Sequence, residues 1–178
     1  MKTLAGVSAE GRGATDRLLA AVAAQLQVEG IRVAGALRAP LTEGATSHCN
    51  SDLHLLPDGP MVRITQELGA GSTACRMDAG ALELAVGLAT ARLASEGAEL
   101  VVLNKFGLSE AEGRGFRALI AEALSQGVPV LIGVSDAHRA AFAEFAQDLS
   151  TTLRPDEDTI LAWCRAVISR AAPPVREA

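Results

Sequence analysis

The apolar residues of this chain fall into short, mostly apolar runs that alternate with longer segments of helical spacing. The runs lie at residues 4–7, 31–37, 100–103 and 128–134, and they are typical of strands buried in a parallel sheet. Over residues 15–29, apolar side chains recur at i, i+3 and i+4, which predicts an amphipathic helix. The alternation predicts a three-layer α/β fold, with a mostly parallel sheet and helices on both of its faces.

One stretch departs from this simple alternation. Residues 52–56 and 61–66 have strand character and flank the turn sequence P-D-G-P, which predicts a β-hairpin excursion from the sheet. A loop is predicted at residues 69–72, followed by a helix that Asp78 caps and that stops at Gly97.

The last third of the chain returns to alternation. Ser109 with Glu112 three residues later forms a capping-box signature, which predicts one helix from Ser109 through Gln126. A short final strand is predicted at residues 151–153 and a last helix at residues 156–171.

Length and composition set the domain organisation. At 178 residues and 49% apolar, the chain has enough material for one well-buried domain, predicted to span residues 1–172. Residues 173–178, which begin with Pro173, are predicted to form a disordered tail.

Charge, hydropathy and cysteine content indicate which classes of partner and which cellular compartment to expect. The net charge is -5, with no Lys/Arg cluster and few aromatic residues, so nucleic acid is not expected to bind. No apolar run approaches the roughly 20 residues that cross a bilayer, so we expect no membrane partner and a cytoplasmic protein. The three cysteines are an odd number without C-x-x-C spacing, which favours reduced thiols. The sequence is compatible with a homo-oligomer.

Ligands of doubly wound sheets lie at the carboxyl ends of the strands, which directs attention to residues 8–16, 104–107 and 134–138. The first of these reads S-A-E-G-R-G-A-T-D and lies between a strand and a helix, as phosphate-binding loops do.

Aligned on the P-loop pattern G-x-x-x-x-G-K-[ST], Ser8 takes the place of the first glycine, and Gly11 and Gly13 supply inner glycine positions. Ala14 stands at the lysine position and Thr15 at the hydroxyl position. The backbone donors of an anion site are therefore retained, whereas the lysine is missing.

Arg12 lies between the two glycines and could partly replace the lysine, because its guanidinium group suits phosphate. The alternative is that Gly11 and Gly13 only make the turn from strand to helix.

A P-loop enzyme also places an acidic residue at the end of a later strand to position magnesium. Here that position reads L-V-V-L-N-K-F-G, with Asn104 and Lys105 where carboxylates are expected. The sequence therefore predicts no ordinary magnesium site. Lys105 either restores positive charge near the loop or is a solvated lysine at the strand end.

Several other polar residues are candidates for an outer layer of the site. Arg63, Gln66, Cys75 and Arg76 would join Asn104 there if the hairpin region folds over the carboxyl edge of the sheet. The alternative is that the arginines pair with surface carboxylates.

Two further groups of residues have side chains suited to metal binding or to proton transfer. The side chains of Cys49, His54 and Cys75 could serve as ligands of a soft metal ion. Their spacing matches no known site, so no metal is predicted. Glu110 and Glu112 are the nearby candidates for a base that positions water, or else favourable charges in the first turn of a helix.

The chain resembles a bacterial family of uncharacterised P-loop-like proteins, distantly similar to small nucleoside triphosphatases of thermophiles and animals. The segments that carry the resemblance are S-A-E-G-R-G-A-T-D, S-D-L-H-L-L-P-D-G-P-M-V-R-I-T-Q, C-R-M-D-A-G-A-L-E, L-V-V-L-N-K-F-G-L-S-E-A-E-G-R-G-F-R and V-P-V-L-I-G-V. In the active triphosphatases, the resemblance implies a lysine at Ala14 and acidic residues at Asn104 and Lys105. The family is often encoded near molybdate transport functions, which implies a tetrahedral oxyanion or a molybdenum-related ligand.

The function predicted from the sequence is binding of a small anionic ligand through a degenerate P-loop, with little or no hydrolysis. The ligand would be ATP or GTP, or free phosphate or molybdate. One alternative is an active nucleoside triphosphatase that uses Arg12 and Lys105 in unusual roles. Another is a regulatory or accessory protein linked to molybdate or molybdenum metabolism.

Overall fold

The structure is a computed structural model that describes residues 1–39, 51–66 and 76–171. The strands are β1 (Leu4–Val7), β2 (Val33–Arg38), β3 (Asp52–Leu56), β4 (Met61–Arg63), β5 (Thr65–Gln66), β6 (Arg76–Met77), β7 (Leu100–Phe106), β8 (Val130–Val134) and β9 (Ser150–Thr152). The helices are α1 (Ala14–Val28), α2 (Ala79–Glu96), α3 (Leu108–Ala111), α4 (Arg117–Ser125), α5 (Arg139–Ala146) and α6 (Glu157–Ala171).

Seven strands form one sheet in the order β4-β3-β2-β7-β8-β1-β9. The five strands from β2 to β9 in that order pair in parallel, as their apolar runs predict. The strands β3 and β4 pair antiparallel at one edge, which confirms the predicted hairpin. The short strands β5 and β6 pair antiparallel in a separate small sheet. The predicted fold class is confirmed.

Helices cover both faces of the large sheet. On one face, α1 and α6 pack on residues such as Val7, Val102 and Leu131, all of which are buried. On the other face, α2, α4 and α5 pack on residues that include Leu103 and Ile132. Successive residues within β7, and likewise within β8, thus belong to the cores on opposite faces of the sheet, because side chains alternate along a strand.

The predicted single helix from Ser109 through Gln126 is wrong. The chain forms two helices there, α3 and α4, and α3 begins at Leu108. The break falls at Gly113 and Gly115, whose φ of 88° and 61° are left-handed and incompatible with a helix. It also coincides with Glu110, whose side chain is buried. Its carboxylate accepts hydrogen bonds from the backbone N–H of Gly107 at 2.9 Å and of Phe116 at 3.0 Å, so it bridges the start of α3 and the residue before α4. The sequence pattern suggested neither this burial nor this bridge.

The remaining predicted elements differ by little from the observed ones. The final strand, β9, forms the sheet edge beside β1, and Asp78 caps α2 through a hydrogen bond to the N–H of Ala81 at 3.0 Å. The predicted loop at 69–72 and the predicted tail at 173–178 lie outside the described residues. Within the described ranges, no helix combines the length and apolar character needed to span a membrane.

Candidate functional site

The site lies where the sheet changes its direction of winding. The strands β1 and β8 are neighbours, but the helices that follow them, α1 and α5, lie on opposite faces of the sheet. This arrangement opens a crevice at the carboxyl ends of the two strands, where doubly wound folds bind ligands. A cleft of about 240 Å³ occupies this position.

The cleft brings together six of the residues singled out in the sequence. They come from the loop after β1 and from the end of β7, two segments that are distant in the chain: Ser8, Gly11, Gly13, Thr15, Asn104 and Lys105. The cleft is also lined by Asp16 and Asp136, which lie within the segments 8–16 and 134–138 noted in the sequence, and by Arg38 and Gly133, which lie outside those segments.

The glycine loop depends on backbone conformations that favour glycine. Gly11 has φ 100° and Gly13 has φ 69°, both in the left-handed region. The N–H of Ala14 donates to the carbonyl of Gly11 at 3.2 Å, and α1 begins there. No side chain caps the helix at Gly13, so the positive end of a 15-residue helix lies at the cleft.

Thr15 has a structural partner within the loop. Its hydroxyl oxygen accepts a hydrogen bond from the N–H of Ala9 at 2.9 Å. In a P-loop this hydroxyl would ligate magnesium. Here it closes the loop on itself, and this contact ties the start of α1 to the residues that follow β1.

A β-bulge places Asn104 and Lys105 at the cleft. The strands β7 and β8 pair at Leu103 with Ile132, and then at Phe106 with Val134, so two residues of β7 face Gly133 alone. A Cβ atom on Gly133 would lie 2.2 Å from the carbonyl oxygen of Asn104 and 3.0 Å from Cγ2 of Thr15. The bulge and the loop can therefore approach each other only because residue 133 has no side chain.

Charges of both signs meet in the cleft. The Nη1 atom of Arg38 lies 3.7 Å from Oδ2 of Asp16, and their side chains are about a third and a quarter exposed. Burial raises the pKa of the Asp16 carboxyl, while Arg38 and Lys105 oppose this rise. Arg38 is the last residue of β2, so it lies at the same edge of the sheet as the glycine loop. This position at a strand end is the sequence signal that could have identified Arg38 as a site residue.

Asp136 lies at the other side of the cleft. Its Oδ1 accepts hydrogen bonds from Oγ of Ser8 and Nε of Arg139, each at 2.9 Å. The bonds from Arg139 and Ser8 lower the pKa of Asp136. This carboxylate therefore stays ionised, and it holds Ser8 in place at the end of β1.

Replacement of Asp16 by Asn is expected to stabilise the protein at neutral pH. Because burial raises the folded-state pKa above its usual 3.8, the folded protein binds this proton more tightly than the unfolded chain does. The stability contributed by wild-type Asp16 is therefore present at low pH and lost as the pH rises through the folded-state pKa. Denaturant unfolding at several pH values should show an advantage for Asp16→Asn that narrows toward about pH 4.

The matched control for this stability measurement is Asp148→Asn, which removes an exposed carboxylate. We expect it to stay within about 0.5 kcal/mol of wild type at every pH. An Asp16→Asn protein that is less stable than wild type at neutral pH would mean that the pairing with Arg38 outweighs the cost of burial.

The other residues predicted for the site, as far as the structure describes them, do not line the cleft. Arg12 is exposed, and neither Arg12 nor Ala14 lines the cleft. Arg63 pairs with Asp52 across the hairpin at 3.0 Å. Gln66 and Arg76 are exposed partners in the small two-stranded sheet.

The candidate metal ligands can be followed only in part. Cys49 and Cys75 lie outside the described residues. His54 lies on β3, opposite Leu37 of β2. Among the described residues, no group of three or more His, Cys, Asp or Glu side chains could hold a metal ion.

A larger hollow of about 320 Å³ lies at the opposite edge of the sheet. Both of its arginines are already paired: Arg92 with Asp58 at 2.7 Å, and Arg32 with Glu99 at 3.5 Å. The smaller cleft is the better candidate for an anion, because Arg38 and Lys105 converge there on the start of a long helix.

The order of the parallel strands, the glycine loop after β1 and the cleft at the switch point define a P-loop-like α/β protein of the nucleoside triphosphatase fold. The family model described as "Protein of unknown function (DUF2478)" matches residues 4–163, and the chain belongs to this family. The resemblance identified in the sequence is confirmed.

Two known proteins resemble this chain over most of its length. "Molybdenum import ATP-binding protein ModC 2" of Bradyrhizobium diazoefficiens is 35% identical over 155 residues, which cover 87% of this chain but only 17% of that protein. The solution structure of a human cancer-related nucleoside triphosphatase matches with a TM-score of 0.62 and 16% identity, over 99% of this chain and 100% of that chain. At that identity the second likeness shows the fold alone.

Proposed function

We propose that this protein binds the phosphate group of a nucleotide, or a related oxyanion, in the cleft between β1 and β8. The observation that carries the proposal is the convergence of two cations, Arg38 and Lys105, on an uncapped helix start. Backbone N–H groups at such a helix start attract anions, and neighbouring cations add to that attraction.

Lys105 would take over the charge that a P-loop lysine supplies. It approaches from β7 instead of from the loop, because the bulge opposite Gly133 brings it to the cleft. Arg38 would approach from β2. The anion would then be held from three elements, α1, β2 and β7.

Magnesium-dependent hydrolysis is proposed to be weak or absent. Asn104 and Lys105 stand where magnesium-positioning carboxylates would be needed, and the Thr15 hydroxyl is engaged with Ala9. A cation at Lys105 also disfavours a second positive ion beside it. The rival function, an active triphosphatase, predicts magnesium-dependent phosphate release from ATP or GTP, abolished in Arg12→Ala.

The relative from Bradyrhizobium diazoefficiens supports two ligand candidates by its name, ATP and a molybdenum species. Because the match covers only 17% of that protein, either activity is a proposal for this chain. Calorimetric titration with ATP, GTP, phosphate and molybdate, each with and without magnesium, tests the function. We expect binding of at least one of them without a requirement for magnesium, and binding of none would refute the proposal.

Chemical labelling can locate the bound anion, because the chain has two lysines, Lys2 and Lys105. Both are exposed, but only Lys105 lines the cleft. A ligand that binds in calorimetry is expected to slow the reaction of Lys105 with an amine-selective reagent and to leave Lys2 unaffected, as followed by peptide mass spectrometry. Equal protection of both lysines, or of neither, would place the ligand elsewhere.

A further inference from the structure

We infer that the cleft selects an oxyanion that still carries a proton, such as hydrogen phosphate or hydrogen arsenate, and that Asp16 is the residue that makes this selection. The inference rests on the anion site proposed above and names the chemical class of its ligand. It also separates phosphate from molybdate, which the cations of the site cannot do.

The hydrogen-bond donors of the cleft can bind any tetrahedral oxyanion. Lys105, Arg38 and the N–H groups at the start of α1 all supply hydrogens, and the oxygens of phosphate, sulfate and molybdate all accept them. Discrimination therefore needs a group that only accepts hydrogen bonds. An ionised carboxylate is such a group.

Asp16 is placed to act as that acceptor. It lies in the first turn of α1, next to the N–H groups that an anion would approach, and it lines the cleft. Nη1 of Arg38 pairs with its Oδ2 at 3.7 Å, and an ionised carboxylate has about four acceptor positions, so positions remain for a donor from the ligand. The Asp16 side chain is 25% exposed, so water solvates this carboxylate only in part, and a donor from the ligand would compensate.

The second carboxylate of the cleft, Asp136, is less suited to this role. Its Oδ1 already accepts hydrogen bonds from Ser8 and from two nitrogens of Arg139. Its side chain is also 74% exposed, against 25% for Asp16, so water screens its charge more strongly.

The difference between the anions lies in their protons at neutral pH. Phosphate and arsenate retain at least one proton and can donate it to Asp16, whereas sulfate and molybdate are fully ionised. A fully ionised anion would place an oxygen lone pair against the carboxylate, and the repulsion is strong where water is partly excluded. Such a repulsive element is a common basis of specificity.

The test is calorimetry at neutral pH with phosphate, arsenate, sulfate and molybdate as sodium salts. We expect wild type to bind phosphate and arsenate at least about tenfold more tightly than sulfate and molybdate. In Asp16→Asn, the amide can donate to a fully ionised oxygen, so the four dissociation constants should fall within about threefold of one another. The control variant Asp148→Asn should keep the selectivity of wild type.

The contrary outcomes are distinct. Equal affinities of wild type for all four anions would overturn this inference and leave the proposed function standing. Binding of none of the four would also overturn this inference, and it would overturn the proposed function as well only if ATP and GTP fail to bind. Loss of selectivity in Asp136→Asn, with selectivity retained in Asp16→Asn, would overturn the assignment to Asp16. The comparison of the four anions on wild type needs no variant, so it decides the selectivity even if a substitution impairs folding.

Discussion

Gly133→Ala is expected to lower the free energy of unfolding by about 1 to 3 kcal/mol and to abolish anion binding. The added methyl group would meet the carbonyl oxygen of Asn104 at 2.2 Å, and this oxygen belongs to the backbone of a buried strand. Relief of the clash requires β7 and β8 to separate at the bulge. That movement would displace Lys105 and, through the 3.0 Å contact, Thr15.

The matched control for Gly133→Ala is Gly87→Ala. Gly87 lies within α2 and has no atom within 4 Å of the position of an added Cβ. Alanine there is expected to stabilise the protein by about 0.5 to 1 kcal/mol, because glycine costs more backbone entropy in a helix. Denaturant unfolding and calorimetry of both variants check the pair. A Gly133→Ala protein with the stability and affinity of wild type would show that the strands are not packed as described.

The double variant Arg38→Ala/Lys105→Ala is expected to weaken anion binding by about 100-fold. A hydrogen bond to a charged group contributes about 1.5 to 3 kcal/mol, and each factor of ten corresponds to about 1.4 kcal/mol. Lys105 is exposed, so substitution of Lys105 alone should weaken anion binding by about tenfold, which corresponds to the lower end of this energy range. Loss of Arg38 also leaves Asp16 without its ion-pair partner, which adds repulsion against an anion.

The control for this prediction is Lys2→Ala/Arg32→Ala. It removes the same two charges, but Lys2 and Arg32 precede β1 and β2 and so lie at the opposite edge of the sheet. If both double variants lose affinity equally, net charge controls binding and the cleft does not. If only Arg38→Ala/Lys105→Ala loses affinity, the anion is held at the carboxyl edge of the sheet.

Several features of the candidate site could be predicted from local sequence. The glycine loop was recognisable because a strand, two glycines and an amphipathic helix follow one another within 25 residues, from Leu4 to Val28. Asn104 and Lys105 were recognisable because they follow an apolar run directly. The rule that strands of a parallel sheet end at one edge then brought both segments together.

The charged residues of the cleft were harder to predict. Arg38 ends a strand whose neighbour in the sheet is β7, and this neighbour follows it in the chain by more than 60 residues. Asp16 has the sequence pattern of any favourable first-turn acid, and only its partial burial beside Arg38 distinguishes it. The burial of Glu110 escaped prediction for the same reason, since a carboxylate that bridges two helix starts looks like a surface charge in the sequence.

By itself, the sequence determined the α/β class, the hairpin, the glycine loop and the absence of a lysine at Ala14, because periodicity and turn chemistry act over a few residues. Only the tertiary structure decided that the bulge at Asn104 and Lys105 faces Gly133, and that Arg38, Lys105 and Asp16 share one cleft. The physical reason is that strand order and register depend on packing between distant segments. The charge balance of the site, on which its choice of anion depends, arises from that packing.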